Sequence, residues 1–80
     1  MQRRIKLLHW RIEKNLKQRD ICEALEVSRG HYSNIERGLT DPSFELLIKF
    51  RNIYEVADTL SLFEKGVVKN GDNNPSRVIN

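Results

Sequence analysis

Apolar residues recur along this chain at intervals of three and four, and the runs are broken by Asn, Gly and Pro. That spacing puts one apolar stripe on a helix; no stretch alternates at period two for long. Five helices are predicted, closing into an all-α, compact bundle. The first runs from about Arg3 to Lys14 and ends near Asn15. The second starts near Gln18, turns Ile21 and Leu25 inward, and stops by Glu26. In the third, Ser28 is a natural N-cap, Tyr32 and Ile35 face inward, and Gly38 suits the left-handed residue that closes a helix. The segment "LTDPS" then breaks the chain. Proline fits a first helical turn, so either Asp41 or Ser43 caps a fourth helix reaching about Ile53, with Leu46, Leu47, Phe50 and Tyr54 buried. A short fifth helix, Asp58 to Glu64, offers Leu60, Leu62 and Phe63. From Gly66 onward "GVVKNGDNNPSRVIN" has no amphipathic period and reads as a flexible tail. The expected division is a folded domain over 1–65 and a tail over 66–80.

Eighty residues make one small domain with a thin stability margin. A core fits in that length; a deep enzyme pocket beside it hardly does. No paired nucleophile and base, useful carboxylate pair or glycine-rich phosphate loop stands out, so no enzyme is expected. His9, His31 and Cys22 lack the spacing of metal ligands, and neither metal nor cofactor is expected. A single cysteine permits no internal disulfide. The start "MQRRIKLLHWRI" has the basic lead of an export signal, but His9, Trp10 and Arg11 interrupt its apolar part. No apolar run approaches the roughly 18 residues of a membrane span, so a cytoplasmic, nucleoid-associated protein is expected, with no membrane partner.

Charge changes the picture through its distribution. The net charge is only +3, yet between Met1 and Arg19 stand seven basic residues and one acidic residue, Glu13. A positive field gathered at one end suits an anionic partner, nucleic acid or a membrane surface. A solvated helix face explains it equally well from charge alone.

The second and third helices are short and joined by a turn of about three residues, the form of a helix-turn-helix. The third carries Arg29, Gly30, His31, Ser33 and Asn34 at outward positions. Glycine there costs roughly 1 kcal/mol of helix stability against alanine. Small polar groups and donors on a helix face suit the major groove of DNA, where arginine pairs with guanine and asparagine with adenine. On chemistry alone, Arg29, Gly30, Ser33 and Asn34 are the base-reading candidates.

The run "QRDICEALEVSRGHYSNIERG" closely resembles the helix-turn-helix of the phage repressor and Cro class, often called the xenobiotic-response-element type. "DPSFELLIKF" is similar to that family's fourth helix, and the resemblance extends over about Leu7 to Phe63. It implies a lambda-repressor-like bundle that inserts Arg29–Arg37 into the major groove. By position, Arg29, Gly30 and Asn34 match base-reading sites, although Gly30 departs from the side-chain reader usual there. Gln18 matches a phosphate contact at a helix N-terminus, and Ser28, His31 and Arg37 match further backbone contacts. Lys17 and Arg19 add general attraction. Each also has a plainer reading: Ser28 as a cap alone, Gln18 and Arg29 as solvated surface, His31 as cover for its helix.

The resemblance assigns structural parts as well. Cys22 takes the place of an alanine at a helix crossing, and Glu26 that of a turn glycine with positive φ. Arg11 and Glu36 are expected to form an ion pair. Leu7, Trp10 and the stem of Lys14 face the core. Ile5, Leu8 and Ile12 form a second stripe, either a homodimer face or a surface covered by Val67, Val68, Val78 and Ile79 or by a shifted fifth helix. The function implied is a sequence-specific DNA-binding regulator, a repressor or autoregulator, acting as a homodimer on palindromic double-stranded DNA. A bundle adapted to protein interaction and an antitoxin controlling its own operon are the alternatives.

Overall fold

Local start and stop signals set the length of each helix. The computed structural model describes residues 2–66, which hold five helices: α1 (Ile5–Glu13), α2 (Gln18–Leu25), α3 (Arg29–Glu36), α4 (Phe44–Tyr54) and α5 (Thr59–Leu62). Ser28 Oγ accepts the His31 N–H at 3.0 Å and caps α3. Of the two candidate caps for α4 it is Ser43, whose Oγ accepts the Leu46 N–H at 3.1 Å; Asp41 is held instead by Arg4. Glu26 ends α2 in the left-handed region at φ 61°, and Glu55 ends α4 the same way at φ 56°. Gly38 follows α3 at φ 82°, where a Cβ would fall 1.8 Å from the Gln2 carbonyl oxygen. Only glycine fits that approach.

The core joins Leu7 of α1, Ile21, Cys22 and Leu25 of α2, Tyr32 and Ile35 of α3, Leu46 and Phe50 of α4, and Phe63 beyond α5. Phe50 is its aromatic centre, with ring centroids 5.1 Å from Trp10, 4.9 Å from Tyr54 and 5.0 Å from Phe63. These tilted and edge-on pairs add modestly to the burial of large rings.

Three expectations need correction. The first and fifth helices are both shorter than the apolar spacing suggested, with α5 a single turn capped by Asp58. Leu60 is 71% exposed; Thr59 takes the inward place, its Oγ1 donating to Val56 O at 2.7 Å. Lys14 is exposed as well, because α1 ends there and the chain reverses at Asn15, φ 59°, letting Leu16 pack against the core. The Gly66 N–H donates to Arg3 O at 2.7 Å, next to the start of α1. The rest of the expected tail, with Val67, Val68, Val78 and Ile79, lies outside the described residues.

Candidate nucleic-acid interface

Helix geometry gathers the polar face of α3. At about 100° per residue, Arg29, Ser33, Arg37, Gly30 and Asn34 fall within about 140° of one another, opposite Tyr32 and Ile35. Arg29, Gly30 and Arg37 are exposed, while Ser33 and Asn34 are half-buried at the edges. No atom lies within 4 Å of where a Gly30 Cβ would stand, so the fold itself does not require glycine there. His31 sits around the helix from this face, in a cleft shared with Ser43 and Lys49.

One carboxylate fixes how this face is presented. Glu36, 5% exposed, accepts from Arg11 Nε at 2.6 Å and Tyr32 Oη at 2.9 Å on one oxygen. Its other oxygen accepts from Gln18 Nε2 at 3.0 Å and Arg11 Nη2 at 3.3 Å. Arg11 Nη1 also donates to Leu16 O at 3.0 Å. The expected Arg11–Glu36 pair is therefore the centre of a network joining α1, α2 and α3. A buried charge needs such partners, since an unpaired one is costly. Burial and the Glu36 carboxylate raise the Tyr32 phenol far above its ordinary pKa, keeping it a neutral donor. Glu36 is the sole acid in α3 and is withdrawn from the outer face.

Gln18 has a structural contact besides the phosphate contact expected of it. Its side chain is half-buried against Glu36, which brings the first turn of α2 beside the far end of α3. A carboxamide carries two N–H donors, so one remains, along with the backbone N–H at the helix start. Lys17 and Arg19 are exposed on either side. Asp20 Oδ2 accepts the Lys17 N–H at 2.8 Å and closes that turn. Burial raises the Cys22 thiol pKa; this side chain belongs to the core, as the alanine-like position implied.

Arg4 is the residue the sequence reading missed. Placed with the basic run that gives the chain its positive end, it is in fact 3% exposed. Its Nε donates to Phe63 O at 2.7 Å, and Nη1 donates to Ile35 O at 2.7 Å and Thr40 O at 3.2 Å. Nη2 reaches Asp41 Oδ1 at 2.9 Å. That bond, with Lys65 nearby, holds the Asp41 carboxyl below its usual pKa. Arg4 thus ties the last turn of α3 and the loop after it to Phe63, just past α5. With Arg4 and Arg11 turned inward and Lys6 paired with Glu64 at 3.3 Å, the free charge of the first segment rests on Arg3, Lys14, Lys17 and Arg19 among the described residues.

Among the described residues no group of His, Cys, Asp and Glu is placed to hold a metal ion, and no helix is long and apolar enough to cross a membrane. Residues 7–66 match the family model described as helix-turn-helix. No curated protein and no solved structure matches the chain.

Proposed function

The chain belongs to the Cro/C1-type helix-turn-helix family, whose domains bind DNA, and from that premise we propose that it is a sequence-specific transcriptional regulator, a repressor or autoregulator. In this reading α3 enters the major groove. Arg29 donates to guanine O6 and N7, Asn34 pairs with an adenine edge, Ser33 adds a hydroxyl, and Gly30 lets the backbone approach the bases. Gln18, Ser28, His31 and Arg37 hold the phosphates on either side, and Lys17 and Arg19 supply attraction without sequence preference. The protein works in the cytoplasm as a homodimer on a palindromic operator, with half-sites about 34 Å apart.

The observation that carries this reading is the exposure of Arg29 and Gly30 on a helix whose one acid is buried and paired. The test is selection of bound sites from a random DNA pool, repeated with two variants. Arg29→Ala should relax preference at one base pair by about 1–3 kcal/mol. Arg37→Ala should weaken all sites alike and lower the salt dependence by about one phosphate's worth. An unchanged preference with Arg29→Ala would remove arginine from base reading.

A further inference from the structure

The end of α3 is served from outside its own helix. A helix leaves its last carbonyls without partners inside it, and α3 has no basic residue in its last turn. Arg4 fills both gaps. Its guanidinium donates to Ile35 O at 2.7 Å and its backbone N–H to Glu36 O at 2.9 Å. The positive charge thereby sits at the negative end of the helix dipole. The next residue is Arg37, the C-cap, whose side chain is exposed. We infer that Arg4 is a positioning residue for DNA binding: by fixing the carbonyls of Ile35 and Glu36 it sets where Arg37 meets a phosphate. At 3% exposure Arg4 has no surface to offer DNA itself. The assignment rests on the DNA reading above and deepens it.

The hold comes from a separate part of the domain. Arg4 Nε donates to Phe63 O at 2.7 Å, and Arg3 O accepts the Gly66 N–H at 2.7 Å. On the other side Gln2 O lies where a Cβ on Gly38, the residue after Arg37, would fall. Residues 2–4 are therefore wedged between the end of α3 and the segment past α5. A planar guanidinium reaches its acceptors in fixed directions, so a change at Arg4 displaces the end of α3. Arg29 is placed by other means. It lies eight residues before Arg37, about 12 Å along the axis, beside the Ser28 cap. Arg4 accordingly governs affinity and salt dependence and leaves base preference alone.

Mobility shift on a DNA site selected by the wild type tests this, at a temperature where circular dichroism shows each variant folded. Arg4→Lys keeps the charge and loses the fork. It should weaken binding about tenfold, the worth of one charge-assisted contact, and lower the salt dependence by about one phosphate. In an Arg37→Ala background the same change should cost less than about twofold; beside Arg29→Ala it should keep its full effect. A merely structural Arg4 leaves the cycle with Arg37 additive, and that result overturns the proposal. So does an Arg4→Lys variant that binds as the wild type does. Should Arg4→Lys melt too low to compare, Glu55→Gly is added to every member of the cycle, relieving a left-handed residue at the far end of α4. Amide exchange in the free protein gives a readout without DNA. Arg4→Lys should speed exchange at Gly38 and Leu39, whose N–H groups donate to Ile35 O and Asn34 O; unchanged rates there overturn the proposal too. A wild type that binds no selected DNA sinks the DNA reading and this role with it, a failure told apart from the others because in those the wild type binds.

Discussion

Gln18 Nε2 lies 3.0 Å from Glu36 Oε1, so the first residue of α2 and the last of α3 meet on one buried carboxylate. Arg11 supplies the opposing charge and Tyr32 the remaining hydroxyl. The angle between the two helices is thereby set by hydrogen bonds of defined length as well as by apolar packing.

Breaking that centre should be expensive. Glu36→Ala leaves the Arg11 guanidinium, mostly buried, without its carboxylate, and should lower stability by about 3–5 kcal/mol in urea melts. Arg11→Met strands the carboxylate and should cost a similar amount. The double variant should fall well short of the sum, because each single change already forfeits the same pair.

Arg4 should matter nearly as much. Arg4→Met removes the donors serving Phe63 O, Ile35 O and Thr40 O, with an expected loss of about 3 kcal/mol, since buried carbonyls lose charged partners. Arg4→Lys should recover only part, because an ammonium lacks the planar fork that reaches three directions. Asp41→Asn should change far less, as that side chain is 76% exposed. Denaturation midpoints rank the three.

Arg4 also marks where sequence reading stops. Its neighbours Arg3 and Lys6 carry the same charge, and nothing in composition or spacing tells which of them turns inward. That choice depends on carbonyls of Ile35, Thr40 and Phe63, brought together only by the finished fold. The helix-turn-helix itself was legible because its signals are local: the Ser28 cap, the Ile21–Leu25 and Tyr32–Ile35 spacings, and the closing Gly38. The Arg11–Glu36 pair, distant in sequence, came from family resemblance. Spacing gives no guide to Leu60, because one helical turn has no period to measure. Spacing alone does not choose between Ser43 and Asp41 as the cap of α4, because the competing bond from Arg4 to Asp41 exists only in the folded chain.

Gly30→Ala separates folding from recognition. No atom stands within 4 Å of the added methyl, so the variant should gain roughly 1 kcal/mol of helix propensity. If the bare backbone lies close to the bases, the same methyl should weaken specific DNA binding. A higher melting temperature with undiminished affinity would show that close approach is not what the glycine provides.

The two left-handed glutamates should behave as a graded pair. Glu26→Gly and Glu55→Gly each relieve a Cβ held at positive φ, with an expected gain of roughly 1 kcal/mol. Glu26 also pairs with Lys49 at 3.2 Å. That contact is exposed and worth at most a few tenths of a kcal/mol, so the gain at Glu55 should equal or exceed that at Glu26. Melts showing either glycine variant clearly weaker would contradict this turn geometry.

Tyr32 sets an alkaline limit to the fold. Its phenol is raised by burial first and by the Glu36 carboxylate second, and Tyr54 is raised by burial. A raised folded-state pKa means that the native protein keeps the proton after the unfolded chain has lost it. The stabilisation is complete below the unfolded value of about 10 and falls as pH rises beyond it. Tyr32→Phe deletes the larger contribution along with the hydroxyl bond to Glu36. It should therefore lower stability by about 1–2 kcal/mol at neutral pH and flatten the decline above pH 10. Urea midpoints measured from pH 7 to 11 give both quantities; an alkaline slope unchanged by Tyr32→Phe would place the titrating group elsewhere.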